Sequence, residues 1–77
     1  MNLYSDKVIQ YYRNRYPTGT RVRLLEMDDP QAPPLGTLGT VIGIDDMANI
    51  IMEWDNGSKL NVILGTDHIE IVGENHD

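Results

Sequence analysis

The sequence has no cysteine among its 77 residues. A disulfide framework, a thiolate zinc site and a cysteine nucleophile are therefore excluded. It also has no apolar run close to the ~20 residues of a membrane span, and residues 1–5 do not resemble the start of a signal peptide. We therefore expect a protein without a membrane segment, located in the cytoplasm.

Basic residues are scarce, with six Lys and Arg against 12 Asp and Glu and a net charge of −6. A net-acidic chain is a poor non-specific ligand for DNA. Residues 1–25 carry five basic side chains and one acid (+4), whereas residues 26–77 carry one lysine and eleven acids (−10). This asymmetry indicates a charged partner or head-to-tail self-association, unless the basic segment simply packs on the acidic body of its own chain.

The length and composition predict one folded domain. A hydrophobic fraction of 40% with 23% charged residues is typical of globular chains, and the length leaves room for a single core. We expect a helix and linker over residues 1–18, a β-domain over 19–73 and a disordered tail over 74–77.

The pattern of residues 5–14 predicts a short helix. Ser5 suits the N-cap and Asp6 suits the positive end of the helix dipole. Apolar residues follow at helical spacing, and Pro17 and Gly19 end the segment. A helix this short is marginal alone in water, so it must pack on another element.

After Gly19 the apolar residues recur at every second position instead of at helical spacing, and this alternation predicts five short strands. They cover residues 21–25, 38–44, 50–54, 59–64 and 68–72. Gly39 and Gly43 within the second strand indicate a bulge or a sharp bend. Asn56-Gly57 predicts a type I′ hairpin between the third and fourth strands.

Five short strands in about 55 residues cannot form a two-layer sandwich, but they can curl into a small barrel. The strands are joined in order by a long first loop, a short turn, a tight hairpin and a one-turn break. This order predicts a mainly β fold, a five-stranded SH3-like barrel with a short N-terminal α-helix. An OB-fold is disfavoured because the hairpin leaves no room for a helix after the third strand. The expected core residues are Val22, Leu24, Val41, Ile50, Met52, Leu60, Val62, Ile69 and Ile71.

Several local motifs resemble a known family. They are the segments 16–24, 27–34, 36–41, 54–58 and 60–62. Together they resemble the small bacterial family called domain of unknown function 4314, over about Tyr16 to Val72. The resemblance implies an origin in Gram-positive bacteria, often in phage-like or conjugative elements, and it implies no established activity.

A weaker similarity links two segments to mind-bomb-type domains of eukaryotic ubiquitin ligases. It rests on Gly39-Thr40-Val41 and on the hairpin from Trp54 to Gly57. Those domains are SH3-like and bind peptides. The shared residues build the barrel, so the similarity supports the fold rather than a ligand.

Paired carboxylates in two loops form the leading candidate site. Asp28 and Asp29 lie in the long first loop, and Asp45 and Asp46 lie in the turn after the second strand. In an SH3-like barrel these loops flank one groove, which would attract a positively charged protein or peptide. The apolar anchors would be Met27 and Trp54. The alternatives are that Asp simply favours turns, that oxygen ligands hold a hard cation, and that Trp54 belongs to the core.

Arginines and tyrosines near the N-terminus form a second candidate. Aromatic and basic residues together can stack bases and neutralise phosphates. The residues are Tyr11, Tyr12, Arg13, Arg15, Arg21 and Arg23. The alternative is a packed helix whose tyrosines are buried and whose arginines bridge to acidic residues of the barrel.

No catalytic constellation is recognisable. His68 and His76 have no serine or cysteine placed by sequence as a nucleophile, and so small a domain has little room for a cleft of ~300 Å³. We expect no enzymatic activity, no cofactor and no metal. The leading hypothesis is a non-catalytic binding module for a positively charged protein or peptide. The alternatives are a nucleic-acid-binding accessory protein of a phage or mobile element, and a homo-oligomer.

Overall fold

The N-terminal helix forms as the sequence predicts. The structure, a computed structural model, describes residues 5–73, so the predicted tail over 74–77 lies outside the described residues. Helix α1 spans Asp6–Arg15. The Ser5 side chain caps it by accepting a hydrogen bond from the Val8 N–H at 3.3 Å, which satisfies one of the free amides of the first turn.

Five antiparallel strands follow and form one sheet. They are β1 (Arg21–Glu26), β2 (Leu38–Ile44), β3 (Asn49–Trp54), β4 (Val62–Ile63) and β5 (His68–Gly73). Their order in the sheet is β4-β3-β2-β1-β5, so the last strand pairs with the first. A mainly β protein with one short helix is therefore confirmed.

The five strands form an open antiparallel sheet that does not close on itself within residues 5–73. Within residues 5–73, β4 and β5 are each paired on one side only. The predicted bulge in the second strand is present, because Val41 pairs with Met52 and Gly43 with Ile51, which leaves Ile42 as the extra residue. Such a bulge bends the strand locally.

The fourth strand is shorter than predicted. The sequence predicts a strand over 59–64, but only Val62–Ile63 pair with β3. Just before β4, side chains make the hydrogen bonds that a longer strand would make with its backbone. The Trp54 indole N–H donates to the Leu60 carbonyl at 2.8 Å, and Asn61 Oδ1 accepts from the Met52 N–H at 3.4 Å. These bonds satisfy polar groups that a backbone ladder would otherwise pair.

The hairpin between β3 and β4 differs in type from the prediction. The Gly57 N–H donates to the Trp54 carbonyl at 2.9 Å, and the Trp54 N–H donates to the Ser58 carbonyl at 3.0 Å. Gly57 has a φ of +92°, but Asn56 does not have a positive φ. A type I′ turn needs positive φ at both central residues, so this loop is instead a type I turn followed by a glycine bulge.

The core lies on the inner face of the sheet, with α1 packed beside it. The predicted core residues Val22, Leu24, Val41, Ile50, Met52 and Val62 are fully buried, and Ile44 and Trp54 complete the cluster. Leu60, Ile69 and Ile71 are only half-buried. Ile69 and Ile71 pack against the core from the edge strand β5, beside which no further strand lies within residues 5–73.

Candidate functional site

The two predicted apolar anchors are not free side chains. Trp54 is only 3% exposed, and its indole N–H is bonded to the Leu60 carbonyl. Trp54 is therefore a core residue, which is the alternative that the sequence left open, and it is not exposed as an anchor. Met27 is half-buried and packs against the core cluster.

Asp45 shapes the turn between β2 and β3. Its Oδ1 accepts the backbone N–H groups of Met47 and Asn49, both at 2.9 Å, and its Oδ2 accepts from the Asn49 side chain at 3.2 Å. The bond from the Asn49 N–H is the main cause that lowers the pKa of Asp45 below its usual value. This carboxylate is thus committed to the local backbone, as Asp often is in turns.

Asp46 belongs to the contact between the helix and the sheet. Its carboxylate lies 3.1 Å from Nη2 of Arg13. The Arg13 guanidinium also donates from Nε and Nη2 to the Ile44 carbonyl, at 3.2 and 3.0 Å. Arg13 therefore fixes α1 to the end of β2, and the negative charge of Asp46 is partnered within the chain.

The carboxylates of Asp28 and Asp29, in the loop between β1 and β2, differ from that of Asp46 in having no cationic partner within residues 5–73. Asp29 Oδ1 accepts from the Gln31 N–H at 2.7 Å, and Asp28 and Asp29 are both exposed. Among residues 5–73, neither has a cationic group within 4.0 Å. Their loop joins β2 at Leu38, whereas the turn of Asp45 and Asp46 leaves β2 at Ile44, so the two pairs extend from opposite ends of that strand.

Two further acids lie next to Asp28 and Asp29 by strand pairing and by position along the chain. Glu26 pairs with His68 across β1 and β5, and Asp67 immediately precedes β5. We call Glu26, Asp28, Asp29 and Asp67 the acidic end. Sequence reasoning missed Glu26 and Asp67, because only the pairing of the first strand with the last brings them to this place.

Within the acidic end, the contacts leave most of the negative charge unpartnered. Asp67 Oδ2 accepts from the Ile63 N–H at 2.9 Å, a neutral donor. Glu26 lies 3.7 Å from Nδ1 of His68, which is a charge pair only when the imidazole is protonated.

Elsewhere the acidic side chains are largely matched by cations. Asp55 binds Arg21 at 2.6 Å, Glu70 binds Arg23 at 2.6 Å, and Glu53 lies 3.8 Å from Lys59. The bond to Arg21 lowers the pKa of Asp55 and raises that of Arg21. The negative surplus of the described residues is therefore concentrated at the acidic end.

The arginines and tyrosines of the second candidate do not form one free basic patch. Arg13, Arg21 and Arg23 each bind an acidic side chain, and Arg15 lies over the Tyr16 ring at 5.8 Å from its centroid. Tyr12 is half-buried and packs on the core. Tyr11 is exposed and touches Tyr12 edge-on, with ring centroids 5.2 Å apart.

A shallow, open depression of about 370 Å³ lies where α1 meets the sheet. This volume exceeds ~300 Å³, whereas the length of the chain predicts little room for a cleft of that size. It is lined by Arg13, Tyr16, Pro17, Thr18, Gly43 and Ile44. Its one charged lining group, Arg13, is already bonded to Ile44 and Asp46.

Two further features are absent from the part of the chain that the structure describes. Residues 5–73 contain no group of three or more His, Asp or Glu side chains that could hold a metal ion. The helix found there is too short and too polar to cross a membrane.

Comparison with known proteins identifies a family. The model of the family described as Domain of unknown function (DUF4314) matches residues 5–72. This match confirms the resemblance seen in the motifs from Tyr16 onward and extends it over the helix. No curated protein and no solved structure shows significant similarity.

Proposed function

The chain belongs to the family described as Domain of unknown function (DUF4314), and we propose that it is a non-catalytic binding module for a positively charged protein or peptide. The observation that carries the proposal is the unpartnered charge of the acidic end. Other exposed acids of the sheet are bound to arginine or lysine, whereas Asp28 and Asp29 have no such partner within residues 5–73. A cationic ligand would supply the missing partner.

The strand order supports a finer reading of the fold as an open SH3-like barrel. A five-stranded antiparallel sheet in which β5 returns to pair with β1 agrees with that architecture, as do the long β1–β2 loop and the tight β3–β4 hairpin. Register shifts in β1–β5 and β2–β3 bend the sheet. On this reading the β1–β2 loop is the natural place for a ligand.

Exposed leucines next to the acidic end suggest that the ligand also has apolar side chains. Leu25 is 44% exposed and Leu35 is 68% exposed. The Gly36 N–H donates to the Leu24 carbonyl at 2.8 Å, which holds Leu35 close to Leu25. Apolar surface beside unpartnered charge is typical of interaction sites.

The expected affinity is modest and depends on salt. An exposed ion pair contributes about 0.2–1 kcal/mol, and charges are screened over about 8 Å at physiological ionic strength. Loss of two carboxylates from the site should therefore cost about 0.4–2 kcal/mol, which is roughly two- to thirtyfold in affinity, since about 1.4 kcal/mol corresponds to a factor of ten.

A peptide of alternating lysine and valine, the lysine–valine peptide, tests the proposal by fluorescence polarisation. The variant Asp28→Asn/Asp29→Asn keeps Oδ1 of residue 29 as an acceptor for the Gln31 N–H and removes two charges. The control Asp6→Asn/Asp46→Asn removes the same charge from the helix side of the molecule. We expect roughly tenfold weaker binding for the first variant and less than about twofold for the control. Equal losses would mean that only the net charge matters.

Nucleic-acid binding through the arginines and tyrosines is the alternative outcome of this test. A single-stranded oligonucleotide replaces the peptide as the probe. Tight binding that falls steeply with salt and is reduced by Arg15→Gln would favour that function, and the lysine–valine peptide would then show no preference for Asp28 and Asp29. The ion pairs of Arg13, Arg21 and Arg23 speak against it.

A further inference from the structure

Strand β5 offers a free edge. It spans His68–Gly73 and has β1 as its one neighbour in the described sheet. Alternate residues of an edge strand direct their N–H and C=O groups away from the sheet, where another strand can bind them. Its six residues span roughly 20 Å, which is enough for a full additional strand.

The opposite edge is closed to such an addition. Strand β4 has two residues, and the N–H of Ile63 already donates to Asp67 at 2.9 Å. A short edge whose amide is occupied by a carboxylate is protected against pairing. Within residues 5–73 the sheet is therefore asymmetric, with one blocked edge and one available edge.

Apolar side chains of β5 are incompletely covered on the inner face. Ile69 and Ile71 are half-buried, whereas their partners in β1, Leu24 and Val22, are fully buried. A strand added beside β5 would place alternate side chains over these two isoleucines. Burial of this kind contributes about 25 cal/mol for each Å² of apolar surface removed from water.

The charges around β5 indicate the chemistry of the occupant. Glu26 faces His68 at the start of the strand, and Asp67 immediately precedes it. In the middle of the strand, Glu70 is bound to Arg23 at 2.6 Å, so its negative charge is balanced there. An extended segment with lysine or arginine near the acidic end would be complementary, whereas a second copy of this chain carries the same net charge of −6.

We propose that a cationic, extended peptide segment binds by adding a sixth strand to the free edge of β5. Backbone hydrogen bonds to residues 68–73 would align the segment along β5. Ile69 and Ile71 would contact its apolar side chains, and the acidic end would bind its positive charge. This mode of recognition is strand addition, in which main-chain bonds give affinity and alternate side chains give specificity. The inference rests on the proposed function, because the acidic end selects the positive charge of the segment.

The test compares two peptides of equal charge on the unaltered protein. The first is the lysine–valine peptide, and the second has proline in place of its central valine, which removes a backbone donor and disfavours a strand. Binding is measured by fluorescence polarisation, and amide hydrogen exchange is followed by NMR. We expect the proline peptide to bind at least tenfold more weakly, and the lysine–valine peptide to slow exchange of outward-facing amides in residues 68–73.

The other outcomes separate this inference from the proposed function. Equal binding of both peptides without new protection in β5 would overturn strand addition, while sensitivity to Asp28→Asn/Asp29→Asn would leave the proposed function intact. Absence of binding by either peptide would overturn both. A dimer in sedimentation analysis whose β5 amides are already protected without peptide would show that a second copy occupies the edge, which also overturns the inference.

Discussion

The indole of Trp54 packs directly against the backbone of Gly39. The two residues are cross-strand partners in β2 and β3. A Cβ built on Gly39 would lie 2.5 Å from Cε3 of Trp54 and 2.9 Å from Cε of Met52. The absence of a side chain at residue 39 therefore creates the space that the tryptophan fills.

Replacement of this glycine should disrupt the core. We expect Gly39→Ala to lower the free energy of unfolding by about 2–3 kcal/mol, because the methyl group forces Trp54 out of its position. Gly43→Ala is the matched control on the same strand, since nothing lies within 4 Å of a Cβ there, and it should change stability by less than about 1 kcal/mol. Urea denaturation measures both, and similar losses would contradict the packing argument.

The guanidinium of Arg13 should be needed to hold α1 against the sheet. Arg13→Lys keeps the charge but loses the planar pair of donors to the Ile44 carbonyl. We expect a loss of about 1 kcal/mol in unfolding free energy. Asp46→Asn removes the exposed ion pair alone and should cost less than about 0.5 kcal/mol. Equal effects of the two changes in thermal unfolding would assign the contact to charge rather than to the carbonyl.

Asp45 should make stability fall on acidification. Its folded pKa is lowered, so its contribution is present above the unfolded pKa of about 3.9 and is lost as pH falls through the folded pKa. Asp45→Asn should be less stable than the native chain at neutral pH, and the difference should shrink from about pH 5 downward. Urea titrations at several pH values measure this trend. A difference that stays constant with pH would refute it.

Ala48 is a strained position in the turn that Asp45 organises. It has a φ of +61° and is 1% exposed. Ala48→Val places a β-branched side chain where both backbone and space oppose it, and it should cost at least about 2 kcal/mol. Ala48→Gly relieves the backbone but loses a buried methyl, so it should stay within about 1 kcal/mol of the native chain. Comparable losses in both variants would indicate that packing alone determines this site.

The helix and most strands could be predicted from local patterns. The capping serine, the first acidic residue and the proline after the helix identify α1, and β2 has the predicted bounds Leu38–Ile44. These signals are local, because capping, alternation and glycine positions act over a few residues. The bulge at Ile42 followed from Gly43 in the same way.

The remaining differences come from contacts that are distant in sequence or made by side chains. The predicted strand over 59–64 is longer than β4. The alternation of these residues does not reveal that the side chains of Trp54 and Asn61 make hydrogen bonds where backbone pairing was expected. In the candidate site, turn chemistry accounts for Asp45, but the grouping of Glu26 with Asp67 required the pairing of β1 with β5.

The central claim is that the acidic end and β5 together bind a cationic segment. The most direct measurement is an NMR titration of isotopically labelled protein with the lysine–valine peptide, read as amide shift changes along the chain. The account predicts that the largest changes lie in residues 26–29 and 67–73. Changes confined to the depression between Arg13 and Thr18, or spread evenly over the molecule, would contradict it.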